Sequence, residues 1–371
     1  MKLKIPVAEP SIGKEELKLI SEAVRSGWVS SKGEFIEEFE EKFAKYIGDK
    51  YAIATSNGTT ALHLVLTALG IGDGDDVIIP TLTFASGANT VIYTGSKPVL
   101  IDSHPKYWCI NPEKIENKIS KRTKAIIPVH LYGHPCNMEA IMKIAKDHNL
   151  YVIEDCAEAH GAQYKGKKVG SFGNVACFSF YANKIITTGE GGMCLTNHEV
   201  LAEKMRILRD HGMRPEKKYW HEVVGFNYRM TNLQAALGVA QLEKIDAFIR
   251  RKREIAETYN SLLKNVKGVT LPPEMPWAKN VYWLYSILID NNSYGVNRDQ
   301  LMDKLAENGI ETRRFFYPVH VMPPYKKYAA NCRFPVAEKL SSNGISLPSS
   351  VKLTEEEIYE VTHLISDFHR E

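Results

Sequence analysis

The sequence predicts an α/β protein built on a mostly parallel sheet with helices on both faces. Short, continuously apolar runs of strand length alternate with amphipathic helical stretches through the first two-thirds of the chain. Strands covered on both faces read as unbroken apolar runs of this kind. The length, 371 residues, suffices for a large core and for two domains.

The elements follow in order. "IGKEELKLISEAVRSG" (12–27) and "EFIEEFEEKFAKYIG" (34–48) space their apolar residues helically, and each closes on glycine, which takes the left-handed backbone of a helix end most readily. "YAIATSNGTTALHLVLTALG" (51–70) reads as strand, turn, helix. "DVIIP" (76–80), "KPVLID" (97–102), "KAIIPVH" (124–130) and "YVIEDC" (151–156) are short buried strands, with helical "PCNMEAIMKIAKDHN" (135–149) before the last. "TNLQAALGVAQLEKIDAFIRRKREIAETYNSLLK" (231–264) reads as one long helix leading out of this unit. "YWLYSILID", "RDQLMDKLAENGIETRRFF" and "TEEEIYEVTHLISDFHR" then form a smaller α+β unit. The expected domains are 1–245 and 246–371.

Composition narrows the function. With 44% hydrophobic and 25% charged residues and a net charge of +3, basic residues are interspersed with acids, which gives nucleic acid no continuous track. The opening "MKLKIPVAEPSIGKEELKLI" lacks the apolar core and small-residue cleavage site of a signal peptide. No run reaches the roughly 18 apolar residues of a membrane span. The expected compartment is the cytoplasm. Cys109, Cys136, Cys156, Cys177, Cys194 and Cys332 form no CxxC pair and read as reduced, buried thiols, not as a metal site.

Four segments carry chemistry. In "TSNGTTALHL" a strand ends, Asn57-Gly58 turns, and Thr59 and Thr60 open a helix; free N–H groups at such a place suit a phosphate, although any threonine-capped helix start looks the same. In "VIEDCAEAHG", Asp155 ends a strand where open α/β sheets bind ligands, and is either a ligand group or a helix cap; Glu158 follows, and His160 reads as a satisfied interior histidine. In "FSFYANKIITTGEGG", Lys184 ends an apolar run and precedes a glycine loop, five residues after Ser179. An amine attacks a carbonyl only when unprotonated, so a reactive lysine needs desolvation or neighbouring cations. In "PTLTFASGANTV", Phe84 either stacks on a flat ring or packs in the core. A phosphate cradle, a buried carboxylate, an aromatic and a lysine of lowered pKa are together what pyridoxal 5′-phosphate asks for.

The order "SNGTTAL … PTLTFASGANTV … GSKPVLID … VIEDCAEAHGA … GSFGNVACFSFYANKIITTGEGGM", continued by "GFNYRMTNLQAALGVAQLEKID" and "RRFFYPVHVMPPY", resembles the DegT/StrS-type nucleotide-sugar aminotransferases, of the aspartate aminotransferase fold (fold type I). The resemblance implies a large domain with a mostly parallel seven-stranded sheet and a smaller C-terminal α+β domain. It implies that Lys184 holds the cofactor aldehyde and Asp155 pairs with the pyridinium nitrogen. Phe84 would stack on the ring, and Gly58, Thr59 and Ser179 would hold the phosphate. Asn227 would reach the phosphate of a partner subunit, which makes the protein a homodimer with shared active sites. Glu158 would stand near the cofactor's phenolic oxygen, either protonated or turned away. Relatives that are dehydratases carry histidine in place of this lysine, so lysine favours transamination.

The implied donor is L-glutamate and the acceptor a nucleotide-linked 4-keto-6-deoxy sugar. "SGWVSSKGEFIEEFE", "RDHGMRPEKKYWHEVVGFNYRMTN" and "HVMPPY" carry a closer likeness that favours GDP-4-keto-6-deoxymannose; the alternatives are a UDP- or dTDP-linked 4-keto or 3-keto sugar, and a regulatory or sensing protein on the same fold. Trp28, Ser30, Tyr317 and His320 are candidates for the sugar. Arg229 and the loop Arg214 to Trp220 are candidates for the diphosphate, because guanidinium groups pair well with phosphate oxygens.

Overall fold

A sheet strand with no polar face needs cover on both sides, and the computed structural model, which describes residues 4–214, 216–329 and 332–368, supplies it. The strands are β1 (Tyr51–Thr55), β2 (Asp76–Pro80), β3 (Lys97–Ile101), β4 (Thr123–Ile126), β5 (Tyr151–Asp155), the two-residue β6 (Gln163–Tyr164) and β7 (Lys167–Lys168), β8 (Val175–Ser179) and β9 (Gly192–Thr196). Seven of them form one sheet in the order β1-β9-β8-β5-β4-β2-β3. Neighbours from β8 to β3 run parallel, and β9 lies antiparallel between β8 and β1. The mostly parallel, seven-stranded α/β sheet expected from the sequence is therefore observed.

Helices α1 (Lys14–Ser26), α2 (Glu34–Ile47), α3 (Gly58–Ala68), α4 (Ser86–Tyr93), α5 (Met138–Asp147), α6 (Glu199–Arg209), α7 (Asn232–Leu242) and α8 (Ile245–Leu263) cover the sheet or lead out of it. Gly27 (φ 75°) and Gly48 (φ 101°) end α1 and α2 in the left-handed region. The stretch read as one helix over 231–264 is two. The chain breaks at 243–244, where Lys244 reaches the buried Glu16 at 2.6 Å. That break lets α7 pack on α1 and α2 while α8 runs on to a second core.

The second core gathers Tyr259, Tyr285, Ile287, Leu301, Ile345 and Ile358, with Ile5 from the chain start. Its sheet joins β10 (Val269–Thr270), β12 (Tyr285–Ile289), β13 (Arg313–Arg314) and β14 (Gly344–Leu347) in the order β10-β12-β14-β13, all antiparallel; β11 (Ala278–Lys279) pairs with β6 instead. Helices α9 (Asn291–Tyr294), α10 (Arg298–Glu307) and α12 (Glu355–Phe368) complete this part, while α11 (Pro335–Asn343) turns Ala337 and Leu340 into the first core. We propose the division into units 1–245 and 246–371, with α8 as the shared element: Ile245 and Ile249 belong to the first core, and Ile255, Tyr259 and Leu263 to the second. Among the described residues no helix is long and apolar enough to cross a membrane.

Candidate active site

The carboxyl ends of β1, β2, β5 and β8 open on one cavity of about 540 Å³, at the edge where open α/β sheets bind ligands. At one end α3 begins. Asn57 caps it: Oδ1 accepts the Thr60 N–H at 2.9 Å, and Thr60 Oγ1 accepts the Asn57 N–H at 3.1 Å. This cap uses the Thr60 N–H and leaves those of Gly58 and Thr59 without a partner among the described residues. They point from the positive end of the helix dipole. Ser179 faces them from the end of β8; a Cβ on Gly58 would stand 2.8 Å from Ser179 Cβ, so the approach demands glycine. Two unused N–H donors and a hydroxyl make a cradle fit for a phosphate.

Asp155 lies buried at the end of β5, its Oδ1 accepting the Ala157 N–H at 3.1 Å. No helix follows, which removes the helix-cap alternative. Burial pushes its carboxyl up, while the Ala157 N–H, Lys184 and His130 pull it back. A cationic N–H at the free oxygen would complete its bonding. Phe84 lines the mouth of the cavity at 58% exposure, edge-on to Phe316 at 5.9 Å, so the core alternative fails there too.

Lys184 enters from the loop after β8 and lines the cavity half-buried. Its Nζ lies 3.8 Å from the centre of the Trp283 ring. Burial pulls the amine below its ordinary value; Glu158 and Asp155 oppose that, and Arg313, which lines the same cavity, adds to it. This is the environment an amine needs in order to attack a carbonyl near neutral pH. Glu158 is buried, accepts the Tyr132 N–H at 2.7 Å, and is pushed up by burial to about 7, against the pull of Lys184. Near neutrality its protonated form coexists with the charged one.

Residues 10–366 match the model of the DegT/DnrJ/EryC1/StrS aminotransferase family. This chain belongs to that family. It is 48% identical to GDP-perosamine synthase of Escherichia coli O157:H7, over 98% of this chain and 98% of that one. It is 48% identical to GDP-perosamine synthase of Caulobacter vibrioides, over 96% of each. A solved structure of Spr1654 from Streptococcus pneumoniae in its PLP-form superposes with a TM-score of 0.93 at 25% identity, covering 99% of this chain and 98% of that one.

Within this aminotransferase, Gly58, Thr59, Phe84, Asp155, Glu158, Ser179 and Lys184 come together in the cavity. The other candidates do not. Asn227 is exposed and holds Arg229 Nε at 3.0 Å; Arg229 also pairs with Asp210 at 2.8 Å. Trp28 and Ser30 are tied to the start of α7, their carbonyls accepting from Asn232 at 2.8 and 2.6 Å, and Trp28 faces a separate hollow with Arg206 and Arg209. Tyr317 is exposed and accepts from Arg314 at 2.7 Å. His320 is held between Thr81 at 2.7 Å and Glu338 at 3.1 Å. Arg214 pairs with Glu222 at 2.6 Å; Pro215 of the same loop lies outside the described residues.

His160 is interior but, against expectation, not satisfied: among the described residues neither ring nitrogen meets hydrogen-bond geometry, and burial among Phe43, Phe178 and Phe180, with Lys184 adding and a Ser179 backbone group opposing, drives its pKa to about 3. All six cysteines are free thiols, five of them buried and Cys332 partly exposed. His130, Glu154 and Cys156 bring ligand-type atoms within 4.8 Å. The Glu154 carboxylate, however, is already taken by the Gly170, Phe172 and Gly173 N–H groups and by His130.

Sequence reasoning missed Tyr132, Trp283 and Arg313. Trp283 and Arg313 come from beyond residue 245, about 100 residues and more from Lys184, and no local spacing links them to it. Tyr132 contributes its backbone N–H, for which side-chain type leaves no trace.

Proposed function

We propose that this aminotransferase binds pyridoxal 5′-phosphate in the cavity and moves the amino group of L-glutamate to C4 of GDP-4-keto-6-deoxymannose, giving GDP-perosamine. The observation that carries the reading is Lys184, an amine of lowered pKa facing a helix-end anion cradle and a buried carboxylate across one cavity. The two GDP-perosamine synthases at 48% identity support the sugar, and the PLP-form of a close structural neighbour supports the cofactor.

Bound there, pyridoxal 5′-phosphate supplies an aldehyde that takes up amines and an electron sink for the carbon that loses a proton. The N–H groups of Gly58 and Thr59 and the Ser179 hydroxyl would hold the phosphate. Asp155 keeps the ring nitrogen protonated; a charge pair at about 4 Å is worth roughly 4 kcal/mol at an effective dielectric near 20. Phe84 would stack on the ring, and Glu158, where protonated, would stand near the phenolic oxygen without repelling it. Nζ of Lys184 accepts the proton from Cα of L-glutamate, and later delivers one to C4 of the sugar. Lysine at this position favours transamination over dehydration.

The working unit we propose is a homodimer in which Asn227, outside its own cavity, serves that of the second copy. We assign Trp28, Ser30, Tyr317 and His320 to the sugar and Arg229 to the diphosphate, at positions outside the cavity that holds Lys184. The compartment is the cytoplasm, where six unpaired thiols stay reduced.

Purified protein supplied with pyridoxal phosphate should turn yellow, shift its absorbance on adding glutamate, and fix the cofactor to Lys184 on borohydride treatment. It should then aminate the GDP-linked keto sugar faster than UDP- or dTDP-linked ones. A colourless protein resistant to trapping overturns the aminotransferase reading; a preference for another nucleotide overturns only the sugar.

A further inference from the structure

Lys252 has no part in the chemistry above, yet it lies buried one residue away from it. It sits on α8 at 5% exposure, and its Nζ donates to the carbonyl of Trp283 at 2.9 Å and to that of Ser349 at 2.8 Å. No carboxylate among the described residues pairs with it. Burial alone pulls its amine down to about 7. An interior cation without a counter-charge is expensive, and two carbonyls left without a donor would also be costly. Satisfying them explains why a donor is present. It does not explain the course of the tryptophan that it grips.

Trp283 is held at both ends. Its carbonyl belongs to Lys252, and its Nε1 donates to the Asn183 carbonyl, next to Lys184, at 2.7 Å. Between these anchors the ring lies flat on Tyr132 (6.2 Å, 12°) and 3.8 Å from Lys184 Nζ. Behind the cavity, Lys252, Asn183 and Lys184 line the same narrow hollow with Ser11, Gln241 and Ser350. The indole therefore covers one face of the reactive amine, and Lys252 fixes the position of its backbone.

We propose that Lys252 is a positioning residue for transamination: by holding the Trp283 carbonyl it keeps the indole against Lys184 and water off that face of the amine. This rests on the reading of Lys184 as the reactive amine. A loosened indole gives up its ring-face attraction for the ammonium but admits water, which solvates the ammonium more strongly, and the amine moves back toward its ordinary, protonated state at neutral pH. The other groups acting on it, Glu158, Asp155 and Arg313, are untouched by a change at 252.

The test follows the acylation of Lys184 in cofactor-free protein over about pH 6 to 10, a range that brackets a depressed lysine, read by peptide mass mapping. Lys252→Met keeps the apolar stem and loses the donor; its Lys184 midpoint should rise by about half a unit or more, and kcat should fall more than the KM for glutamate changes. Lys252→Arg keeps a donor and should restore both. Trp283→Phe keeps the carbonyl that Lys252 grips but drops the Asn183 anchor, and should raise the midpoint too. A folded Lys252→Met protein with an unchanged midpoint reduces Lys252 to a structural role and overturns the proposal. If Lys252→Met does not fold, an unchanged midpoint in Trp283→Phe overturns it equally. Failure of borohydride trapping at Lys184 would sink the functional reading and leave this midpoint measurement standing, so the two failures are separable.

Discussion

The peptide N–H of Tyr132 donates to Oε2 of Glu158 at 2.7 Å, from a backbone held at φ 52°. A tyrosine in the left-handed region costs about 1 kcal/mol or more, so the surrounding ring stack with Trp283 and Phe316 must hold it there. The bond orients a carboxyl that burial pushes up to about 7 from an ordinary 4.5. A raised carboxyl binds a proton in the folded state that the unfolded chain releases, so its contribution to stability falls as pH rises from 4.5 to about 7 and is constant above. Glu158→Gln keeps an acceptor for Tyr132 and cannot ionise. Across that window the cofactor-free parent should lose about 1–3 kcal/mol relative to the variant, measured by urea unfolding at both ends. Parallel pH slopes would show that Glu158 titrates as an ordinary carboxyl.

Gly58→Ala tests the cradle. The added Cβ meets Ser179 Cβ at 2.8 Å and Ser179 Oγ at 3.3 Å, distances that force the two segments apart where a phosphate must sit. Helix propensity favours alanine by about 1 kcal/mol, which offsets part of the strain. Cofactor affinity should therefore fall about tenfold or more while the unfolding midpoint moves little, as titration with pyridoxal phosphate and thermal melting would show. Unchanged affinity would place the phosphate elsewhere.

Glu154 and Asp155 are adjacent in sequence and opposite in consequence. Glu154 accepts the N–H groups of Gly170, Phe172 and Gly173 at 2.7–2.8 Å and His130 at 3.2 Å, and these outweigh burial to hold its carboxyl low. Glu154→Gln sets an amide donor against N–H donors and should cost about 2–4 kcal/mol. Because the folded pKa is lowered, the parent itself should weaken as pH falls below 4.5. Asp155 carries one such bond and a raised carboxyl; Asp155→Asn should leave stability level or higher and abolish turnover. Denaturation and rate measured on the same samples distinguish them. Equal losses in both quantities for both variants would contradict this division of labour.

The seven-residue cavity set was readable in the sequence because each member lies at a strand end or within about five residues beyond one. Thr55, Asp155 and Ser179 close β1, β5 and β8, and apolar runs announce such ends. Phe84 and Asp155 were ambiguous from sequence, since a stacking ring and a core ring, or a ligand carboxylate and a helix cap, share one local pattern. Their surroundings removed the core ring and the helix cap. Trp283, Arg313 and Lys252 were invisible for a different reason: they reach Lys184 only after the second unit docks. The break after α7 was hidden too, because residues on both sides of 243–244 keep helical spacing, and the cause is the distant Glu16.

Asn227 and Lys184 lie in one chain but, in the proposed dimer, serve different sites. Asn227 is exposed and lines no part of the cavity that holds Lys184. Lys184→Ala should lose covalent trapping and at least about a thousandfold of the rate, since the amine is both the attachment point and the proton carrier. Asn227→Ala should instead weaken cofactor binding. When the two variants are unfolded together, mixed in equal amounts and refolded, half the dimers are mixed. Each mixed dimer has one site with Lys184 from one chain and Asn227 from the other. The mixture should recover about a quarter of the parent's active sites, whereas either variant alone recovers none of the affinity or rate it lost. Recovery indistinguishable from the mean of the two variants would place Asn227 outside any shared site and leave each chain to work alone.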